Sequence, residues 1–427
     1  MKFLTVLSLG LTLCTRLGLA QSAPQIQGPS HTEPMSVTVP ITLDHNRVVI
    51  DVDLRLHDGT TQRVRAWVDN GDPDLYLSRR LAELTGGSIS CDRQLCTSTP
   101  PVEIDVGGMT ITLVGRTPGT GIKEAKLPAD GHPIAPGMSV EINIPSTVLR
   151  NYDLLIDFPD HKLTIGQPGS LQFKGVKTKV IVNPANGLVQ VPSQIQNKKY
   201  NLALDLGSSI SFLADDLFNK LATAHPDWPH MTGAIGPANI WGLADEPKWR
   251  LIRIDRLQYG PLFLTDVAGV DFPGDRMIFF EKRAGIATAG LLGAEALTNY
   301  RIGLDYAHST AYFEIGRTFN FPDFDVIGLI LRPEDDGRFT ILGVADYGGK
   351  PSVPDVLTGD HLVAVDGIPT VGSTMGQVWL MLGGEAGKER TLTVERAGKQ
   401  FDVVAKVRHF LGEDAGGPGR EKSASNI

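Results

Sequence analysis

Two stretches decide the fold of this chain: Ala66-Trp67-Val68-Asp69-Asn70-Gly71-Asp72 and Leu202-Ala203-Leu204-Asp205-Leu206-Gly207-Ser208. In each stretch an apolar strand delivers one Asp onto a Gly-containing turn, and a further apolar run follows. Two such turns, far apart in the sequence, indicate a duplicated unit that brings two carboxylates together. Paired carboxylates are a device for general acid–base chemistry, so Asp69 and Asp205 are the candidate catalytic residues.

A second pair of matching segments supports the duplication, because Asn151–Phe158 is matched by Asn299–Tyr306. The spacing between these two segments exceeds the spacing between the two Asp turns. We therefore expect the second copy to carry a longer internal loop, at His225–Glu246. Two large units predict a two-lobed protein, since solenoid repeats have far shorter periods.

Composition places the chain among turn-rich β proteins. Its 427 residues are 41% hydrophobic and 21% charged, as in ordinary globular proteins, and are enough for two to four domains. The 47 Gly and 28 Pro, with many short Val, Ile, Thr and Leu runs, favour β structure. The net charge of -8 and the lack of a basic stripe argue against a nucleic-acid partner.

The N-terminus has the pattern of a secretory signal over residues 1–20. Lys2 precedes an apolar run from Phe3 to Cys14, and small residues precede Gln21. The run is shorter than the ~20 residues that a membrane helix needs. We therefore expect a secreted or periplasmic protein with no membrane span after signal removal; an uncleaved anchor is the alternative.

Signal removal would leave two cysteines, Cys91 and Cys96, in one polar loop. In an exported protein this pattern predicts a local disulfide, and a pair of free thiols is the alternative. No further Cys and no clustered His complete a zinc site, so we expect neither a metal nor a cofactor. The chain also lacks a His-Glu-x-x-His or Gly-x-Ser-x-Gly motif for other hydrolase chemistry.

Changes in pattern along the chain predict six segments: a signal peptide at 1–20, a disordered leader at 21–36, a first lobe at 37–175, a second lobe at 176–317, a C-terminal domain at 318–411 and a disordered tail at 412–427. Local signals predict a hairpin from Val48 to Val68, helices at Ser78–Leu84, Asp215–Leu221 and Met375–Leu382, a strand at Val326–Leu331 and a long loop at Arg116–Pro136.

The two Asp turns, with Gly290-Leu291-Leu292-Gly293 and the strand Tyr300–Asp305 that follows it, resemble the aspartic peptidases. The resemblance covers about residues 37–316 as a retropepsin-like unit occurring twice. It implies a mainly β fold of two β-barrel lobes related by pseudo-twofold symmetry. We place the first copy's counterpart of Gly290–Gly293 at Ile134–Gly137. The Cys91/Cys96 loop also resembles the small disulfide loop after the first motif of pepsin-like enzymes.

The C-terminal segment resembles a PDZ domain of the bacterial type, mainly through Leu357–Gly367. The resemblance implies a carboxylate-binding loop and peptide groove at Ile327, Gly328 and Leu329. Such domains bind a peptide or a protein C-terminus by adding a strand to a sheet edge.

The aspartic-peptidase resemblance implies that Asp69 and Asp205 share one proton and activate a water molecule against a polypeptide in the cleft. Supporting positions are Asn70, Gly71, Leu206, Gly207 and Ser208. The family usually has Thr or Ser where this chain has Asn70 and Leu206, and Asp72 adds a third carboxylate. Two hypotheses follow: an exported aspartic endopeptidase, or a catalytically impaired relative that binds peptides or acts as a scaffold.

Overall fold

The computed structural model of the protein describes residues 34–56, 58–85, 90–92, 95–97, 101–113, 127–128, 137–272, 274, 277, 280–282, 287–316 and 324–412. The predicted signal peptide lies outside the described residues, as do the predicted leader up to residue 33, most of the loop at Arg116–Pro136 and the tail after residue 412. Ser36, the last residue of the predicted leader, is already the first residue of a strand.

The first half of the chain forms β1 (Ser36–Pro40), β2 (Thr42–Asp44), β3 (Arg47–Arg55), β4 (Thr61–Asp69), α1 (Arg79–Leu84), β5 (Ser90–Asp92), β6 (Leu95–Thr97), β7 (Val102–Val106), β8 (Met109–Leu113), β9 (Leu127–Pro128), β10 (Ile142–Pro145), α2 (Ser146–Leu149), β11 (Asp153–Asp157) and β12 (Lys162–Gly166).

The second half continues with β13 (Val176–Lys179), β14 (Ile181–Val182), β15 (Val189–Ile195), β16 (Lys198–Asp205), β17 (Ser211–Ala214), α3 (Asp215–Ala224), β18 (His230–Thr232), β19 (Arg250–Tyr259), β20 (Leu262–Phe272), β21 (Gly290–Gly293), β22 (Tyr300–Asp305) and β23 (Thr310–Ile315). Short 3₁₀ helices lie at Gly236–Ala238, Glu246–Lys248 and Ala294–Leu297.

The C-terminal part forms β24 (Phe324–Val326), β25 (Leu329–Pro333), β26 (Phe339–Val344), β27 (Asp346–Tyr347), β28 (Lys350–Pro351), β29 (His361–Val365), β30 (Ile368–Pro369), α4 (Met375–Leu382), β31 (Glu389–Arg396), β32 (Lys399–Lys406) and β33 (Arg408–Phe410).

A six-stranded sheet joins the two halves in the order β1-β12-β11-β22-β23-β13. At its centre β11 pairs antiparallel with β22, with Asp153 opposite Asp305 and Asp157 opposite Arg301. In the repeat, Asp153 of the first copy corresponds to Arg301 of the second, and Asp157 corresponds to Asp305. The repeat therefore maps each of these two pairs onto the other. A pseudo-twofold axis therefore passes between β11 and β22, as in a symmetric contact between two copies of one unit.

Each half also has its own sheet. In the first half the order is β10-β4-β3-β7-β8, and in the second it is β14-β15-β16-β21-β17-β20-β19-β18. Buried and less buried residues alternate along β7 and β8, as expected for strands with one face on the core. The chain is mainly β with two lobes related by pseudo-twofold symmetry, so the fold class implied by the aspartic-peptidase resemblance is confirmed.

The C-terminal part is a sheet in the order β25-β26-β29-β31-β32, with one helix, α4. Thr374 caps α4 in a capping box with Gln377, and the helix has its predicted bounds. The predicted strand at Val326–Leu331 is wrong, because the chain forms β24 and β25 on either side of Ile327 and Gly328. The Ile327 N–H leaves the strand to donate to the Leu382 carbonyl at 3.0 Å.

The C-terminal part and the second lobe share one hydrophobic core. Phe212 and Trp249 of the second lobe belong to the same buried cluster as Ile330, Leu331 and Phe410. Among the residues described, no helix combines the length and the apolar character needed to cross a membrane. The predicted segment boundaries at 37–175, 176–317 and 318–411 stay predictions.

Candidate active site

Asp69 and Asp205 end equivalent strands in the two lobes. Asp69 is the last residue of β4, which runs parallel to β10 with Asp69 opposite Pro145. Asp205 is the last residue of β16, which runs parallel to β21 with Asp205 opposite Gly293. Both side chains are buried, being 4% and 9% exposed. Each apolar strand therefore carries its carboxylate to the end of a parallel pair, inside the protein.

The two Asp turns pack directly against each other. A Cβ atom added to Gly71 would overlap the Asp205 Cγ, and one added to Gly207 would overlap the Asp69 Oδ1. Neither glycine has a positive φ. Glycine is therefore required at these positions for the close approach to the opposite carboxylate, and not for the turn conformation that the sequence suggested.

Backbone N–H groups hold both carboxylates in the same way. The Asp69 Oδ1 accepts from the N–H groups of Gly71 and Asp72, each at 3.0 Å. The Asp205 Oδ1 accepts from the N–H groups of Gly207 and Ser208, also at 3.0 Å each. The predicted support by Ser208 thus comes from its backbone, because its hydroxyl donates to the Ile210 carbonyl.

Asn70 ties the two turns together. Its Nδ2 donates to the Leu204 carbonyl at 2.8 Å, and its Oδ1 accepts from the Leu206 N–H at 2.8 Å. One carboxamide thus holds the backbone on both sides of Asp205. The equivalent residue, Leu206, is fully buried and contributes no polar group. The lock between the turns is therefore built from one side, by Asn70.

The sequence predicted the first lobe's counterpart of Gly290–Gly293 at Ile134–Gly137, and this prediction is wrong. The strand that pairs in parallel with the Asp69 strand is β10, Ile142–Pro145. The spacing that relates Asn151 to Asn299 also relates β10 to β21, so the sequence did contain the signal. It was missed because Pro145 replaces the Gly that ends the motif in the second lobe.

Burial and a neighbouring carboxylate both act on Asp205. Burial is the largest cause that raises the pKa of Asp205 to about 7; the N–H of Ser208 opposes it and the charge of Asp72 adds to it. Asp72 is held by Tyr76, whose hydroxyl donates to the Asp72 Oδ2 at 3.0 Å. The Asp205 carboxyl group is suited to carrying a proton near neutral pH.

Sequence reasoning missed a buried cation beside Asp69. Arg47 is 1% exposed, and its Nη1 and Nη2 make no hydrogen bond within the described part of the chain. The guanidinium lies 5.8 Å from the ring centroid of Trp67. Burial lowers the pKa of Arg47 to about 10, while the carboxylates of Asp44 and Asp69 act to raise it. By the same interaction, the guanidinium favours negative charge on Asp69.

The hairpin register contains the signal for Arg47. Strands β3 and β4 pair with Val49 opposite Trp67. Continuing this antiparallel register by two residues brings Arg47 opposite Asp69, where side chains of directly opposed residues share a face. The predicted hairpin was given without a register and therefore did not identify this pair.

The remaining predicted site residues are the two cysteines and the three residues of the predicted peptide groove. Strands β5 and β6 pair with Cys91 opposite Cys96 in the backbone register, but the side chains lie outside the described atoms, so the disulfide stays a prediction. Ile327 and Leu329 are fully buried, and Gly328 packs against Phe410. All three residues of the predicted peptide groove are thus buried, and the groove stays a prediction.

Within the described residues, no group of three or more His, Cys, Asp or Glu side chains is arranged to hold a metal ion. The two Asp turns bring together the carboxylates of Asp69 and Asp205 with the nearby Asp72 carboxylate, four backbone N–H groups, one carboxamide and a nearby guanidinium. This set can exchange protons with a bound water molecule and a polarised carbonyl group.

A scan against protein-family models and a search of curated proteins find no match to this chain. Among solved structures, the chain is similar to an aspartic proteinase from Irpex lacteus, with 14% sequence identity and a TM-score of 0.40. The match covers 67% of this chain and 98% of that chain. A similarity this weak says nothing about activity, for which the geometry of the two turns has to be the argument.

Proposed function

We propose that the protein is an exported aspartic endopeptidase in which Asp69 and Asp205 activate water against a peptide bond. The observation that carries this proposal is the reciprocal packing of the two turns, in which each glycine lies against the other turn's carboxylate. A turn that served only to reverse the chain would not need a carboxylate from the other lobe in contact with its glycine.

The environment of each carboxylate assigns its role in the proposed reaction. Asp69, beside the buried Arg47, is the ionised partner and takes a proton from water. Asp205, whose pKa is raised to about 7, is the protonated partner and donates to the carbonyl oxygen of the substrate. The water oxygen bonds to the carbonyl carbon and gives a neutral tetrahedral diol.

The second half of the reaction restores the two carboxyl groups. The proton held by Asp69 passes to the amide nitrogen as the carbon–nitrogen bond breaks. A hydroxyl of the diol returns a proton to Asp205 as the new carboxylic acid forms. No covalent intermediate is needed, and the preset N–H groups on both Oδ1 atoms reduce the reorganisation that each proton transfer requires.

One observation favours a second candidate function. Leu206 contributes no side-chain hydrogen bond, so the bonds that Asn70 makes to the Asp205 turn have no counterpart from the equivalent position of the other turn. A turn pair that is less rigid than the chemistry needs would lose rate steeply. A relative that binds peptides in the cleft without cleaving them is therefore the alternative.

The test is cleavage of a mixed peptide library by the purified mature protein from pH 3 to 8. We expect cleavage by the wild type and none by Asp69→Asn or Asp205→Asn. Asp160→Asn, at an exposed position of the first lobe, is the matched control and should cleave like the wild type. A folded wild type that cleaves nothing at any pH would reject the peptidase and favour the peptide-binding relative.

Export is a further part of the proposal, and it depends on the pattern at residues 1–20. Expression of the full chain with a C-terminal tag, followed by N-terminal sequencing of the product, tests it. We expect the mature chain to begin at or near Gln21 and to appear outside the cytoplasm. A product that retains Met1 inside the cell would contradict export without affecting the chemistry.

A further inference from the structure

The outer strand of the C-terminal sheet, β25, already has a hydrogen-bonding partner along its outer edge. β25 is at the end of the strand order, so one of its edges has no strand partner in that sheet. Yet the Leu331 N–H donates to the Asn239 Oδ1 at 2.7 Å, and the Asn239 Nδ2 donates to the Leu331 carbonyl at 2.9 Å. The Asn239 carboxamide thus bonds to both the N–H and the carbonyl of Leu331, as the backbone of a residue in an added β-strand would.

Residues 233–242 of the second lobe, here named the covering segment, approach β25 at several points. A Cβ atom on Gly233 would lie 3.1 Å from the Ile330 Cδ1, and one on Gly242 would lie 2.7 Å from the Arg332 Cα. A Cβ atom on Gly236 would lie 3.8 Å from the Val326 Cγ1, on the neighbouring strand β24. All three glycines have positive φ, so the backbone takes a path that side chains would oppose.

The same segment is bonded to the turn that carries Asp205. The Ser209 hydroxyl donates to the Pro237 carbonyl at 2.8 Å, and Ser209 lies shortly after Gly207 in the turn. From the first lobe, the buried ring of His45 donates through Nε2 to the Gly236 carbonyl at 2.9 Å. Contacts from the covering segment therefore reach both lobes and the C-terminal sheet.

A buried carboxyl group orients Asn239 within the segment. The Glu246 Oε1 accepts from the Trp241 N–H at 3.0 Å, and the Glu246 Oε2 accepts from the Asn239 Nδ2. Glu246 is fully buried, and burial raises its pKa to about 7. With both amide hydrogens of Asn239 engaged, its Oδ1 has one orientation, which faces the Leu331 N–H.

We propose that the covering segment is the intramolecular ligand of the β25 edge, and that Asn239 is a positioning residue through which the C-terminal unit holds the Asp205 turn. The C-terminal unit then acts as a clamp on the second lobe, and not as a receptor for free peptides. This inference rests on the proposed function in one respect: holding the Asp205 turn matters for activity because Asp205 is proposed to be catalytic.

Hydrogen exchange of the mature wild-type chain and of Asn239→Ala tests the clamp without any cleavage assay. We expect the Leu331 amide to exchange about tenfold faster or more in the variant, because its buried acceptor is lost. The amides of Gly207 and Ser208 should also exchange faster, because they lie on the turn that the segment holds. Asn219→Ala, which removes a surface carboxamide of the same lobe, is the matched control and should change none of these rates.

Two results overturn the inference. An unchanged Leu331 rate in Asn239→Ala would show that Asn239 does not hold the edge. A faster Leu331 rate with unchanged Gly207 and Ser208 rates would show that the edge does not act on the Asp205 turn. Should Asn239→Ala fail to fold, Asn239→Asp is the second variant: its carboxylate would face the Leu331 carbonyl oxygen, which repels it, so the side chain should be displaced from the edge and the Leu331 amide should exchange faster than in the wild type. Asn239→Asp exchanging at the wild-type rate overturns the inference equally.

Peptide binding gives a second measurement. The probes are fluorescein-labelled nonapeptides of random sequence that end in a free Val, Leu or Phe carboxylate. We expect them to bind Asn239→Ala at least tenfold more tightly than the wild type, because the variant exposes the edge. Equal affinity would overturn the clamp.

The cleavage assay separates this inference from the proposed function. A wild type that cleaves nothing but shows the expected exchange pattern loses the peptidase and keeps the clamp. A wild type that cleaves peptides while Asn239→Ala leaves exchange unchanged keeps the peptidase and loses the clamp. For an active enzyme, we expect Asn239→Ala to lower kcat about tenfold with little change in KM, as a positioning role requires.

Discussion

Asn70→Ala removes the side chain that bonds to the backbone on both sides of Asp205, and its cost can be worked from the structure. The variant loses the donor to the Leu204 carbonyl and the acceptor for the Leu206 N–H, both of them buried. A net loss of ~1 kcal/mol for one bond, and of ~1–3 kcal/mol for a buried N–H left without its acceptor, gives about 2–4 kcal/mol. We expect the free energy of unfolding to fall by that amount.

The assay is urea unfolding of the mature protein followed by Trp fluorescence. Asn151→Ala is the control, because it also removes a carboxamide that donates to two carbonyl groups, but at an exposed position. We expect a loss of less than ~1 kcal/mol for that variant. A loss below ~0.5 kcal/mol for Asn70→Ala would refute the assignment of the lock to this residue.

Asn70→Asp sharpens the test through its pH dependence. When protonated, the introduced carboxyl group can still donate to the Leu204 carbonyl and accept from the Leu206 N–H, whereas its ionised form faces that carbonyl with a negative charge. Folding should therefore raise the pKa of the new carboxyl, whose stabilising contribution is present at low pH and lost as the pH rises through the raised pKa. We expect the variant to approach wild-type stability at pH 4 and to be less stable than Asn70→Ala at pH 7.5.

Three further variants address the packing and charges around the dyad. Gly207→Ala should abolish cleavage and cost ~1–3 kcal/mol in unfolding free energy, since the new methyl group would overlap the Asp69 carboxylate; an active, stable variant would refute the reciprocal packing. Asp72→Asn should move the alkaline limb of the cleavage profile, set by Asp205 near pH 7, to lower pH, because a charge that raises the Asp205 pKa is removed. Arg47→Met should move the acid limb to higher pH, because ionised Asp69 loses its buried cation; an unmoved limb would contradict the role of Arg47.

Controls for these variants come from the same chain. Gly274→Ala introduces an exposed methyl group that, within the described part of the chain, would have no atom beyond its local backbone within 4 Å, so stability and cleavage should not change. Arg47→Lys keeps the buried charge, and its acid limb should lie closer to the wild type than that of Arg47→Met. A Lys variant that behaves like Met would assign Arg47 a packing role against Trp67 and no electrostatic one.

Elements with local signals were predicted well. The hairpin of β3 and β4 and the helix α4 formed where alternation, turn residues and capping residues indicated them. Helix α1 begins after its predicted cap, Ser78, whose hydroxyl accepts from the Leu81 N–H. Each of these sequence signals lies inside the helix or hairpin that it specifies or within about one turn of it. The contacts that the signal indicates are made within that same element.

The prediction failed where the partner of a segment is distant in sequence. The first lobe's counterpart of β21 was predicted at Ile134–Gly137, because that segment ends in a Gly as the second lobe's motif does. The spacing of the repeat points instead to Ile142–Pro145, which is β10. Strand β25 was merged with β24, because an apolar run gives no sign that Ile327 leaves to bond with Leu382. Apolar content indicates burial, but the choice between two apolar segments as a strand's neighbour depends on packing.

The sequence by itself determined the duplication, the mainly β class and the two carboxylates, because repeats and turn motifs are recorded in the order of residues. Only the tertiary structure decided that Asn70 locks both turns, that Arg47 stays buried beside Asp69 and that Asn239 occupies the edge at Leu331. The bonds of Asn70 and Asn239 join residues 134 and 92 positions apart. Such contacts depend on how whole sheets pack, which no local propensity contains.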